Sequence, residues 1–162
     1  MTADLTYHLA TANDAELLAK YRCLFLCELA GGSPSNKKEL EAALVTYFRQ
    51  AIASGSYISY LAKLNNEIAG LGGLVFREQP GNFKNPSGKT AYILNMYTLP
   101  PFRRMGICNG ILERLVENAK SRGVQYFELN ATAEGRAIYK SFGFQSPHDP
   151  VLELNLRKEP IL

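Results

Sequence analysis

The stretch that most constrains this chain lies past its midpoint, where apolar residues change from strand spacing to helix spacing across one loop. Residues 90–98 read as a buried strand, with Ile93, Leu94 and Met96 inside it. Beyond Pro100-Pro101, residues Ile107, Ile111, Leu112, Leu115, Val116 and Ala119 recur on one face of a helix, and Arg122-Gly123 supplies its stop. Residues 124–131 then return to strand character. Strand, helix, strand in that order pairs the two strands in parallel through a right-handed crossover. All-helical and all-β folds are thereby excluded.

The rest of the chain builds a mixed sheet around that unit. Residues 5–9 form an opening strand. Thr11 or Asn13 then caps a helix carrying Leu17, Leu18, Tyr21, Leu24, Phe25 and Leu29 up to Gly31-Gly32. A second helix, with Leu40, Ala43, Leu44, Tyr47, Phe48, Ala51 and Ile52 on one face, closes at Gly55. Residues 56–64 and 67–76 are strands joined by a tight Asn65-Asn66 turn, hence an antiparallel hairpin. Residues 77–89, rich in Pro, Gly, Asn and Lys, form an exposed loop. A short helix over 134–142 ends at Gly143, and residues 151–156 are expected to close the sheet as a last strand. The element order is β-α-α-β-β-β-α-β-α-β. The class is α/β (α+β), a mixed central sheet with helices on both faces, in a single domain over 1–162.

Composition narrows the function. Apolar residues at 46% and charged residues at 20% exclude a disordered chain. No apolar run approaches the roughly 20 residues that span a bilayer. Met1-Thr2-Ala3-Asp4 begins no basic-then-apolar leader, so a soluble, cytoplasmic protein with no membrane partner is expected. A net charge of +3, with no basic stripe interleaved with aromatics, argues against nucleic acid. Three cysteines do not make a disulfide framework. Cys23 and Cys27 lie one helical turn apart with no His beside them and read as core, so no metal is expected.

The chemistry concentrates in Tyr97-Thr98-Leu99-Pro100-Pro101-Phe102-Arg103-Arg104-Met105-Gly106-Ile107-Cys108-Asn109-Gly110. A strand runs out through proline, and a basic loop opens a helix. The start of a helix leaves about four N–H groups unpaired and gathers partial positive charge, which suits an anion and above all a phosphate. Gly106 and Gly110 are expected to let a diphosphate approach the backbone, with Arg103 and Arg104 adding full charges. The glycine spacing is neither G-x-x-x-x-G-K-[ST] nor G-x-G-x-x-G, which sets it apart from the common nucleotide loops.

Arg103-x-x-Gly106-x-Cys108 resembles the acetyl-CoA diphosphate signature of the GNAT acetyltransferases, Arg/Gln-x-x-Gly-x-Gly/Ala. Thr98 and Pro100 stand at that family's small β-branched and strand-end proline positions. Residues 135–144 resemble its second motif, a short helix ending in Tyr-x-x-x-Gly-Phe, through Tyr139, Gly143 and Phe144. Two positions depart from the pattern. Cys108 replaces the final Gly or Ala, and Thr132-Ala133 stand where many members carry an Asn.

The resemblance implies a GNAT fold that moves acetyl from acetyl-CoA, a co-substrate, onto a small-molecule or peptide amine. It implies that Arg103, Arg104, Met105, Gly106, Ile107, Cys108, Asn109 and Gly110 hold the diphosphate. It further implies that backbone groups of Tyr97 and of Leu99 or Thr98 pair with the pantetheine arm where two parallel strands splay at a bulge, and that an N–H near Tyr97 faces the thioester carbonyl. Tyr139 corresponds to the tyrosine that protonates the departing thiolate, and homodimers are frequent in the family. No base is assigned: residues 92–98 hold no carboxylate, only Tyr92, Asn95 and Tyr97. Glu28 and Glu78 read as solvated charges within range of the acceptor side. Phe25, Glu28 and Asn95, with Tyr21, are expected to line the acceptor pocket. The alternative is a non-catalytic acyl-CoA-binding domain of the same fold.

Overall fold

The computed structural model describes residues 4–156 and divides the chain into two compact units, Met1–Asn130 and Ala131–Leu162. The first holds β1 (Leu5–Leu9), α1 (Ala15–Ala30), α2 (Lys37–Ser54), β2 (Tyr57–Leu64), β3 (Glu67–Glu78), β4 (Lys89–Thr98), α3 (Ile107–Ser121) and β5 (Tyr126–Leu129). The second holds α4 (Arg136–Phe142). The five strands form one sheet in the order β1-β2-β3-β4-β5, antiparallel as far as β4, with β4 and β5 parallel as the crossover requires.

Local chemistry accounts for the boundaries. Asn65 and Asn66 both adopt left-handed backbone, φ 49° and 68°, the hairpin conformation that Asn tolerates better than most residues. Thr11 donates its N–H to the Asp14 carboxylate at 2.7 Å, starting a short 3₁₀ turn (Ala12–Asp14) that leads into α1. Gly31 and Gly55, at φ 70° and 74°, stop α1 and α2. β5 is shorter than expected because Val124 gives its N–H back to the Ala119 carbonyl at the end of α3, and its side chain is buried there.

The glycines of β3 decide how closely helices approach the sheet. A Cβ at Gly70 would lie 3.0 Å from Ile107 Cγ2, and one at Gly72 would lie 2.7 Å from Ile111 Cγ2, so both positions make room for α3. Gly73 points to the opposite face, where the Tyr57 hydroxyl fills the space. On that face Tyr57 packs against Phe48 of α2, with Leu18 and Ala19 of α1 in the same core. Helices therefore cover both faces. None of them, among the described residues, is long and apolar enough to cross a membrane.

The last expected strand is not formed. Residues 151–156 carry no regular structure, and Val151, Leu152, Leu154 and Leu156 are 80–91% exposed. Their alternation with Glu153 and Asn155 is a strand pattern, but a strand needs a ladder. α4 is the one regular element among the described residues of that unit.

Candidate active site

The parallel pairing of β4 with β5 runs from Thr90↔Tyr126 to Ile93↔Leu129 and stops there. Just beyond, the register against β3 slips between Gly73↔Leu94 and Leu71↔Tyr97, so that Asn95 and Met96 together oppose Gly72. This is a β-bulge, and Asn95 occupies it at φ 61°, a conformation few residues other than Gly and Asn accept. From residue 94 to 98, β4 is bonded to β3 on one side, and its other edge is unpaired among the described residues.

Leu99 donates its N–H to the Ala69 carbonyl at 2.9 Å. Bonded and non-bonded pairs alternate in an antiparallel ladder, so Tyr97 also faces β3. The N–H and C=O of Thr98, between them, turn to the open edge. Of the residues expected to offer backbone to an incoming arm, Tyr97 with Leu99 or Thr98, Tyr97 and Leu99 face β3. Thr98 is the member of that trio whose peptide groups point outward.

The loop after β4 carries two left-handed residues. Following a 3₁₀ turn (Pro100–Phe102), Arg104 at φ 63° and Gly106 at φ 77° place left-handed residues two apart, the geometry of an anion nest. α3 starts without a side-chain cap and without an acidic residue in its first turn. Gly110 donates to the Gly106 carbonyl at 3.1 Å, closing the first helical turn and leaving the amides of Ile107, Cys108 and Asn109 ahead of it. Arg104, Met105, Gly106 and Asn109 are exposed, whereas the Ile107 side chain is core and can contribute only its backbone. Burial pushes the Cys108 thiol up, so it remains neutral and adds no negative charge at the anion site.

The two glycines expected to admit a diphosphate do different work. Around Gly106 a Cβ would meet nothing within 4 Å, so this glycine serves the left-handed turn. A Cβ at Gly110 would strike the hydroxyl of Tyr7, whose ring lies under Arg114 at 3.7 Å. Gly110 is a packing residue turned toward the sheet.

Arg103 reaches back to the strand end and across to α1. Its Nε donates to the Thr98 carbonyl at 3.0 Å, and its terminal nitrogen donates to Glu28 Oε1 at 2.5 Å. Tyr97 Oη donates to Glu28 Oε2 at 2.9 Å, and the Phe25 ring stands 5.5 Å from that of Tyr97. Glu28 is thus a bonded member of a network tying the end of α1 to the end of β4, not a solvated charge. The Arg103 hydrogen bond, and then that of Tyr97, hold its carboxyl below the usual carboxylate range. Burial, and then the carboxylate, push the Tyr97 phenol up. Phe25 and Tyr21 are partly buried against the core. Glu78 pairs with Lys89 at the other end of β4, away from the open half.

In the second unit, Tyr139 is half-buried on α4, its ring edge-on to Phe144 at 6.1 Å. Thr132 caps the turn before this helix by accepting the Gly135 N–H at 3.2 Å.

A family model described as the acetyltransferase (GNAT) family matches residues 23–144. The chain belongs to the GNAT acetyltransferase family. A predicted acetyltransferase from Clostridium acetobutylicum, solved with acetyl-CoA, is 35% identical; the match covers 94% of this chain and 97% of that one at a TM-score of 0.83. A GCN5-related N-acetyltransferase from Ralstonia eutropha shares the fold at 23% identity, covering 93% and 99% of the two chains at a TM-score of 0.82. An aminoglycoside N-acetyltransferase in complex with CoA does so at 11% identity, covering 97% and 98% at 0.72. No functionally curated protein matches by sequence. The GNAT reaction is acyl transfer dependent on acetyl-CoA, and the site fits that molecule. An amide nest without a competing acid suits its diphosphate, and an open strand edge suits an amide-bearing arm.

Sequence reasoning missed Tyr57 altogether. It is fully buried, its hydroxyl has no hydrogen-bond partner among the described residues, and neither has the side-chain amide of Asn95 near it. The one signal was an Asn inside an apolar strand run, a residue that strands disfavour.

Proposed function

We propose that this chain is a single-domain cytoplasmic enzyme that acetylates a primary amine on a small molecule or peptide. The observation that carries the reading is the half-open β4 edge running directly into an uncapped amide nest. The one element offers strand-like hydrogen bonds to an extended arm, and the other offers amides and positive charge to a diphosphate. In this reading the amides from Arg104 to Asn109 hold the diphosphate, and Thr98 pairs with the arm. Acetyl-CoA supplies an acyl group already activated as a thioester.

Amide hydrogens at the open edge stabilise charge building on the acyl oxygen, a donor of the kind whose removal typically costs about 3–4 kcal/mol. Glu28 is a poor base, since Arg103 and Tyr97 favour its ionised form. It is better suited to attract and orient an ammonium. Tyr139 protonates the leaving thiolate, a role that rests on the motif around it.

Thiol release from acetyl-CoA over a panel of amines tests the activity, with Tyr139→Phe alongside. The expected result is release with at least one amine, and turnover reduced roughly 10²-fold or more in the variant at unchanged acetyl-CoA affinity. Binding without release on any amine would favour an acyl-CoA-binding domain, and unchanged turnover would remove Tyr139 from the mechanism.

A further inference from the structure

Three polar side-chain atoms meet beside the β4 bulge without a well-formed hydrogen bond among the described residues: Tyr57 Oη, Asn95 Nδ2 and Asn95 Oδ1. Tyr57 is 0% exposed and Asn95 3%. Asn95 and Ser59 lie close enough to the Tyr57 hydroxyl to favour its ionised form, but neither makes a well-formed hydrogen bond with it. Ser59 spends its own proton on the Gly72 carbonyl at 2.8 Å. Burial nevertheless dominates and pushes Tyr57 up to about 12, so its hydroxyl stays a donor. Native structures rarely leave buried donors and acceptors orphaned, and a buried water bonded to two to four polar groups is the usual remedy.

The place matters as much as the count. Asn95 is the bulge residue, at φ 61°, and the bulge separates the doubly bonded half of β4 from the half whose Thr98 amide faces outward. A left-handed backbone explains why Asn is tolerated there. It does not explain a fully buried amide beside a fully buried phenol. Gly73 lacks a side chain where that hydroxyl sits, so the phenol is admitted at the cost of a side chain in the strand facing the bulge.

We propose that Tyr57 and Asn95 hold a buried water that pins the bulge, which makes both of them positioning residues for acetyl transfer. Fixing the Asn95 side chain fixes the step in register, and that step sets where the open-edge amides point. This inference rests on the acetyltransferase reading for its catalytic consequence, but not for the water itself.

Three measurements test it. Crystals of the wild-type chain at high resolution are expected to show water density within hydrogen-bonding distance of both Tyr57 Oη and the Asn95 amide; an empty or purely apolar site there overturns the proposal. Tyr57→Phe removes one ligand of the water and is expected to lower Tm by about 2–4 °C. A rise instead would mean that the hydroxyl is simply an orphan whose removal helps. Asn95→Gly preserves the left-handed backbone while deleting the amide. It is expected to lower kcat roughly tenfold or more at unchanged acetyl-CoA Kd, and full kcat would show that only the backbone conformation counts. If wild-type protein releases no thiol with any amine, the acetyltransferase reading fails while the crystal and Tm results still decide the water. If Asn95→Gly does not fold, the same two results decide it.

Discussion

The two halves of β4 are one strand with opposite duties. Over residues 90–93 it is bonded on both sides, Ala91 facing Phe76 of β3 and Phe127 of β5. Over residues 94–98 it keeps β3 and loses β5, and in the next few residues the chain forms its amide nest. An interior strand hides all its peptide groups, and an edge strand exposes half of them as a template for another chain. Here the exposure is confined to a few residues and follows a bulge. The same strand is therefore anchored at its start and available at its end, and the difference teaches that the site is a controlled defect in the sheet.

Proline breaks this comparison most sharply because it deletes one N–H and leaves the rest of the backbone. Ala91→Pro removes a ladder bond from a doubly bonded strand, where proline is essentially absent from natural sheets. A cost of about 3 kcal/mol or more, or about 6–12 °C in Tm, is expected by thermal denaturation. Thr98→Pro removes an N–H that no strand among the described residues uses. It is expected to stay folded, with Tm within a few degrees of wild type, while turnover falls roughly a hundredfold and acetyl-CoA affinity drops. If both variants unfold alike, the open edge is not open.

How much of this was legible in the sequence follows from the range of the interactions involved. The parallel crossover, the Asn65-Asn66 hairpin and the loop into α3 were readable because each depends on residues within a turn or two of one another. The Glu28 network was not: Tyr97 and Arg103 lie 69 and 75 positions away, and no local pattern encodes that meeting. The packing of Gly110 was hidden for the same reason, since the Tyr7 ring against it comes from the opening strand. Residues 151–156 show the converse failure, where a local pattern was present and its ladder was not. Arg103 opens the phosphate motif, and its bond to Glu28 is a contact that the motif does not encode.

A smaller contrast sharpens the same division within the loop. Gly106→Ala puts a Cβ into open space at φ 77°, so the cost is backbone strain of about 1–2 kcal/mol. Because that strain is relieved by distorting the nest, acetyl-CoA affinity measured by calorimetry is expected to fall several-fold. Gly110→Ala drives a Cβ into the Tyr7 ring, an overpacking penalty of about 1–3 kcal/mol in a region that faces the sheet. Stability should fall there with affinity unchanged. Equal affinity losses in the two variants would mean that the loop and the packed turn behind it act as one unit.

The least effect belongs to Glu28, at the seam between the open half of β4 and α1. Its carboxyl is depressed by Arg103 and then by Tyr97, so the folded chain binds that proton less readily than the unfolded chain does. The sign follows: the network's contribution is fully present above the ordinary carboxylate value of 4.5 and is lost as pH falls through the depressed folded value. Because the side chains of Glu28 and Arg103 are 43% and 41% exposed, solvent screening holds the effect to about 1 kcal/mol or less. Urea unfolding of wild type and Glu28→Gln should therefore differ by that small amount near neutral pH and converge in acid. A difference that persists or grows below the carboxylate range would show that Glu28 stabilises the fold through packing, and would leave its charge free for the acceptor.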